Sequence, residues 1–429
     1  MNYRRGWVCL FICTLTAINY ADRVALSVAA KPVSVEFGLT PVEMGYLLSS
    51  FLWMYVVCLV PFGILADRLG GKTVISAGIG LWSAATMLTG LAPNFASMLT
   101  SRVAMGIGEA TCWPACNRII REWFPASERG FATAFLGAGA AAGPALGAVG
   151  ISAIVTVWGW RAGFLCAGAI GFVWLAVWYF VFDRPERVTW LRPTERDKII
   201  AERDGLDIYG EAERPVSTLR YLLGLRTVWG LFLTQGCEVY GGYMLLTWLP
   251  SYLEQAKGLS IMNAGMMTAI PFGTSSVLAV LLGHVSDRIL SRDAVHSGQR
   301  RVMLSVLLAG AAGILLVPML NSLWAIILVL TCVRTMGLTA SGLIFTLGTD
   351  LVRNRSDIAK VTSITAMGGN SFGLASPIVT GYIVGITGSF DNAFFIAGAL
   401  PLIGAASVLL MTRRPIRPQV MVPVAVGLV

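Results

Sequence analysis

Charge is scarce in this chain. Asp, Glu, Lys and Arg make up 13% of its 429 residues, about half the share of a soluble globular domain, and the mean hydropathy is +0.72. A water-soluble protein is excluded. Histidine is scarcer still: only His284 and His296 occur, both expected near a membrane surface, so proton handling inside the bilayer falls to carboxylates. No HExxH pair or Walker loop is present, and GIGEA (106–110) is a helical glycine pattern rather than a nucleotide loop. An enzyme is therefore not expected. The eight cysteines lie in or beside apolar stretches, which argues against a disulfide framework. Cys9/Cys13 and Cys112/Cys116 sit one helical turn apart, but no histidine joins either pair, so they read as packing residues. No metal or cofactor is expected. A cleavable signal peptide is not evident either: MNYRRGW leads straight into the first apolar run.

What is present is apolar sequence in lengths that cross a bilayer. Twelve candidate spans centre near Thr16, Met54, Ser83, Gly106, Ala142 and Gly171, then near Gly242, Ser275, Ala311, Thr335, Ser371 and Ile403. They lack period-two alternation, which favours helices over a β-barrel. The predicted fold is an all-α membrane protein of twelve transmembrane helices in two pseudo-symmetric six-helix bundles. The net charge of +9 reports topology and not a nucleic-acid partner. With both termini cytoplasmic, Lys31, Arg161 and Lys257 fall outside and Arg23, Arg102 and Arg334 fall within spans. All other basic residues lie on the cytoplasmic side, a strong positive-inside bias. Residues 183–227 break the apolar pattern with dense charge and several prolines. They read as a cytoplasmic linker between an N-terminal bundle, 1–182, and a C-terminal bundle with its tail, 228–429.

The halves echo each other. GILADRLGGK (63–72) follows the second span and GHVSDRILSR (283–292) follows the eighth, pairing Gly63 with Gly283, Asp67 with Asp287 and Arg68 with Arg288. Two homologous bundles around a central pathway are a transporter architecture. GILADRLGGK resembles the signature loop of the major facilitator superfamily. NYADR in span one, WMYVVCLVPFGILADRLG around span two, RVAMGIGEA in span four, NRIIREWFPASERG after it and LLTWLPSYLEQAKGLS in span seven resemble the anion:cation symporter family. That family includes bacterial sugar-acid transporters and the animal sialin relatives. The resemblance implies uptake of a small-molecule carboxylate with protons, by a monomer in the bacterial inner membrane and with the lipid bilayer as its surroundings.

Six ionisable residues lie well inside predicted spans: Asp22, Arg23, Arg102, Glu109, Glu238 and Arg334. Unpaired, they would cost on the order of 15–20 kcal/mol together, so they must pair or face water. Three acids against three arginines make a neutral interior. Protonating an acid makes it positive and attracts an anion, which links proton binding to anion binding. Asp22 and Arg23 point about 100° apart on their helix and should not pair with each other. Helical rise places Asp22 level with Arg102 of span four, which predicts an Asp22–Arg102 ion pair. Glu109 lies about 10 Å deeper, as a second proton site, and Gly106 and Gly108 permit close helix approach. Glu238 and Arg334 either pair across spans seven and ten, or Arg334 binds a second carboxylate of a dicarboxylate substrate.

The resemblance implies that Asp22 and Glu109 sense protons, that Arg23 is the span-one substrate or coupling arginine, and that Tyr20 and Tyr55 are cavity tyrosines. Two positions depart from the sugar-acid pattern. Ala140 and Ala366 stand where hydroxyl-binding glutamine and asparagine are usual, although Asn370 keeps a second span-eleven asparagine. Losing polar partners in a buried site suggests a less hydroxylated or aromatic carboxylate, with Phe345 as a ring partner. Gly63, Asp67, Arg68 and Gly71 form the expected conformational gate. An aspartate at a helix end can meet a neighbouring helix N-terminus, and Gly70 and Gly71 allow a tight turn. Two rival readings stand beside symport. GAGAAAGPALG (137–147) is similar to a motif of proton-driven exporters of drugs or metabolites, and a passive channel or sensor is the third reading.

Overall fold

The computed structural model describes residues 5–125, 127–188, 190–204, 217–289 and 298–418. Helices α1 (Arg5–Phe37), α2 (Pro41–Leu69) and α3 (Gly71–Gly90) are followed by α4 (Phe95–Glu109), α5 (Cys112–Trp123) and α6 (Arg129–Val181). The expected linker carries α7 (Pro193–Asp204) and α8 (Leu219–Leu223). Then come α9 (Arg226–Gln255), α10 (Ile261–Ile289), α11 (Gln299–Ala311, continued by a 3-10 segment to Met319), α12 (Leu323–Leu351), α13 (Ile358–Thr387) and α14 (Asp391–Met411). Among the described residues, eight helices are long and apolar enough to cross a membrane. One of them, the 53-residue α6, is two helices joined across Gly159, whose φ of 82° interrupts the helix. The other expected crossings fall on the α4–α5 pair and on α9 and α13. Those two long helices carry polar side chains such as Gln235, Glu238 and Asn370 in their middles, which lowers their hydropathy.

Local chemistry fixes the ends of these helices. Thr40 and Glu43 form a reciprocal capping box with Pro41 at the first helical position, which satisfies amides that the helix leaves unpaired. Asn94 and Ser97 do the same for α4. Gly70 joins α2 to α3 at φ 85°, a left-handed conformation that glycine adopts without Cβ strain. The polarity of a soluble protein is inverted: Val60, Phe180 and Ile386 face outward, while Asp22, Arg23, Arg102 and Glu109 are buried.

The first and second halves of the chain meet at the end of the bundle away from the termini. There the backbone of α2 lies directly on α13. A Cβ on Gly45 would stand 2.7 Å from the Pro377 carbonyl, and one on Gly381 would stand 2.5 Å from that of Pro41. Gly265 of α10 packs equally tightly on Ala148 and Ser152 of α6, and Ser27 of α1 donates to the Thr247 carbonyl of α9 at 2.6 Å. On the termini side the linker is tied at both ends. Arg5 bridges to Glu128 at 2.9 Å and to Glu195 of α7 at 3.7 Å, and Ser217 bonds twice to Asp357.

Candidate functional site

Arg23 sits at the centre of a sealed cluster in the first half. Its Nε donates to Glu109 at 2.9 Å, its Nη2 to Asn19 at 3.2 Å and its Nη1 to the Tyr243 hydroxyl at 3.3 Å. The guanidinium carbon lies 4.5, 5.0 and 4.9 Å from the ring centres of Tyr20, Phe51 and Tyr55. Cation–π attraction of this kind strengthens as water is excluded, and Arg23 is 2% exposed. The Arg23–Glu109 bridge takes the place of the expected pair. Asp22 and Arg102 form no ion pair: Asp22 Oδ2 has no hydrogen-bond partner, and Arg102 Nη1 donates to Met105 Sδ at 3.2 Å, with its Nε and Nη2 unpartnered. Helical rise set the depth of these residues but not the rotation of each helix about its axis. Rotation is decided by packing. Gly106 places α4 against the Phe51 carbonyl of α2, and Gly108 places it against the Trp82 amide of α3. That seats the Arg102 guanidinium 5.4 Å from the Phe51 ring centre.

The second half contributes a different arrangement. Between the two halves lies a cavity of about 380 Å³, bordered by Tyr20 of α1, Trp113 of α5, Ala140 of α6, Phe272 of α10 and Phe345 of α12. Its charged lining among the described residues is Glu238 of α9 and Arg334 of α12. No ion pair joins them. Each instead lies over a glycine of the opposite helix: a Cβ on Gly242 would stand 2.7 Å from Arg334 Nη1, and one on Gly337 would stand 3.0 Å from Glu238 Oε1. Arg334 also lies 5.1 Å from the Phe272 ring centre.

Of the residues expected in a substrate site, Tyr20 and Phe345 border this cavity, whereas Arg23, Tyr55 and Asn370 do not. Arg23 touches its wall through the Tyr243 hydroxyl and the Tyr20 ring. Sequence reasoning missed Trp113, Tyr243 and Phe272. The available signal was local: Tyr243 follows a Gly-Gly pair and Phe272 follows a proline inside a span, places where a helix face opens. The glycines of GAGAAAGPALG are explained by packing. Gly139, Gly143 and Gly147 meet Cys13, Ala17 and Ala21 of α1, a small-residue helix contact.

Residues 12–359 match the family model described as Major Facilitator Superfamily. The chain belongs to the Major Facilitator Superfamily. It is a multi-pass membrane transporter and not an enzyme. The chain is 31% identical over 425 residues to the "Probable L-galactonate transporter" of Escherichia coli K12, covering 95% of this chain and 89% of that relative. It is likewise 31% identical to a "Probable galactarate/D-glucarate transporter" of Bacillus subtilis, covering 95% and 91%. A "Probable sulfoacetate transporter" of Cupriavidus necator is 31% identical over 402 residues, covering 93% and 91%. The crystal structure of a bacterial homologue of the human lysosomal transporter Spinster superposes with a TM-score of 0.76 at 19% identity, covering 96% and 98%. That likeness concerns the fold.

The superfamily's signature loop is built here from charge pairs and one glycine turn. Asp67 accepts from Arg118 at 3.4 Å and Arg121 at 3.1 Å, both from α5. Its partners are thus arginine side chains and not a helix N-terminus. Arg68 is exposed, and space around Gly63 is open. Gly71 is buried against Ile119 and the Ala115 carbonyl, so it serves the approach of α3 to α5, while Gly70 makes the turn. Beside the loop, Lys72 bridges to Asp183 at 3.2 Å. Burial works against the Asp183 carboxylate, but the Arg184 amide, Lys72 and Arg187 hold it below the usual carboxylate range. Residues 290–297, with the end of the second copy of the loop and His296, lie outside the described residues.

Proposed function

We propose that this chain carries an organic anion into the cell together with protons, as a monomer in the bacterial inner membrane. It works by alternating access between two six-helix units, residues 1–182 and 228–429, joined by the cytoplasmic linker 183–227. The chain crosses the bilayer twelve times with both termini in the cytoplasm. In that orientation the α2–α13 seam closes the outer side. One observation carries this reading: a cavity between the halves has a guanidinium and a carboxylate on its wall, and the sealed Arg23–Glu109 bridge lies one tyrosine away.

Protons enter the cycle through Asp22 and Glu109. A proton on Glu109 removes the negative partner of Arg23, leaving a buried positive charge that favours an anion in the neighbouring cavity. Arg23 then acts on the substrate through Tyr243 or by swinging past it. Loss of the anion to the cytoplasm restores the drive for proton release. Relatives named for L-galactonate, galactarate and sulfoacetate support an anionic substrate. Ala140 and the rings of Tyr20, Trp113 and Phe345 favour one with few hydroxyls and a flat apolar body. The volume suits it, since small-molecule sites span about 300–1,000 Å³. No observation favours export, because the glycine motif is used to pack α6 on α1.

The test is the thermal stability of the purified protein against sugar acids, aromatic acids, dicarboxylates and lipophilic cations at pH 5.5 and 7.5, followed by uptake into proteoliposomes under a pH gradient. A carboxylate that stabilises more at the lower pH, and accumulates when the outside is acidic, is the expected result. Stabilisation by cations that grows with pH would overturn the reading.

A further inference from the structure

Three intramembrane guanidiniums are present, and two are already committed. Arg23 is held by Glu109, Asn19 and three rings, and Arg102 is fully buried away from the cavity. Arg334 alone borders the cavity among the described residues, and its Nε has no acceptor. Its nearest opposite charge, Glu238, borders the same cavity without reaching it.

The spacing has a helical cause. Glu238 and Gly242 are four residues apart on α9, and Arg334 and Gly337 three apart on α12. Arg334 lies against Gly242 and Glu238 against Gly337. By helical rise the positions that carry the two charges are offset by about 4.5–6 Å, roughly one turn, along the bundle. The glycines make the slot, since any side chain at either position would push the facing charge aside. A gap of one turn is too long for a direct ion pair and wide enough for a carboxylate to enter beside the guanidinium.

We propose that Arg334 anchors the carboxylate of the transported anion and that Glu238 takes up a proton as the anion binds. This rests on the organic-anion reading above. Empty, the slot is neutral. With an anion on Arg334 and Glu238 still ionised, two carboxylates share one guanidinium, and like charges so close favour protonation of one. The proton comes from the side on which the anion enters, and the slot with anion bound is neutral again. Among the described residues no other charge lines the cavity. Tyr20 of α1, Tyr243 of α9 and Ser341 of α12 border the cavity as neutral hydroxyls, and Ser276 is the polar residue of α10 there. α13 and α14, which pack on α9, contribute no residue to that lining. Arg23 lies behind Tyr243 and is bridged to Glu109. Phe272 under Arg334 and Phe345 along the wall select a planar aromatic monocarboxylate.

The experiment measures binding of benzoate, with D-galactonate in parallel, to the purified full-length protein between pH 5.5 and 8.5. Arg334→Gln is expected to weaken benzoate binding about thirtyfold or more, the effect of truncating one partner of a buried charged contact. Arg334→Lys is expected to recover part of it. Glu238→Gln is expected to bind at least as well as the parent at pH 8.5, with the slope of log affinity against pH reduced by about one. If Arg334→Gln does not fold, the double variant Arg334→Gln/Glu238→Gln removes both charges together, and Gly242→Ala displaces the Arg334 guanidinium without removing it. Both are expected to weaken binding. Parental affinity in the arginine variants, or an unchanged pH slope in Glu238→Gln, overturns the assignment and leaves organic-anion transport standing. If the parent binds neither acid at any pH, the organic-anion reading fails and this assignment with it.

Discussion

The two halves of this transporter bury acid–base groups in opposite ways. In the first half Arg23 and Glu109 touch at 2.9 Å, boxed by rings and 2% and 0% exposed. In the second half Glu238 and Arg334 stand a turn apart on a cavity wall, each laid over a glycine of the other's helix. A contact pair in a dry site is costly to break by halves, because the survivor keeps its charge without a partner. A separated pair beside water has no such constraint and is open to a third party. On the function proposed above, the same residue types do different work: the first arrangement stores a conditional charge, and the second presents one.

The comparison is broken most severely by removing Glu109. Glu109→Ala leaves Arg23 buried and unpaired and is expected to cost about 3–5 kcal/mol, read as a fall in the melting temperature of the purified protein. Glu238→Ala is expected to cost less than half as much, since Arg334 can turn to cavity water. Equal losses would mean that the two sites are equally dry. Gly45→Leu comes next. It overpacks the α2–α13 seam, a change that typically costs about 1–3 kcal/mol. It should raise labelling of a cysteine placed at Ser341 by a reagent added from the seam side, while a cysteine at Asn19 stays protected. Third, Phe345→Ala is expected to weaken benzoate binding by about 1 kcal/mol, roughly fivefold. Phe51→Leu in the sealed cluster should lower the melting temperature and leave that affinity unchanged. The smallest effect is expected for Asp67→Asn, which loses two exposed ion pairs worth together about 1 kcal/mol or less. That loss should fade in high salt.

Much of the fold was legible because its signals are local. Span positions follow from hydropathy, and the turn at Gly70 follows from residue type. Long runs of apolar sequence also announced the membrane. α9 and α13 stand out less in the sequence, because Gln235, Glu238 and Asn370 lower their hydropathy. The ionisable residues were legible as a set, since buried charge in a span stands out. Their pairing was not. Asp22 and Arg102 are level in depth and still do not bond, because rotation depends on which glycine meets which backbone, as at Gly106 and Phe51. Likewise, the separation of Glu238 from Arg334 depends on Gly242 and Gly337, which look unremarkable in the chain until both helices are in place.

The seam between α2 and α13 has a mechanical consequence. Gly45, Gly381 and the carbonyls of Pro41 and Pro377 bring main chain against main chain, and beside them the hydroxyls of Tyr46 and Tyr382 meet at 3.2 Å. On the proposed alternating-access cycle the seam opens by the tilt of one whole body from the other, a motion of about microseconds to milliseconds, and the tyrosine pair is the contact that must let go first.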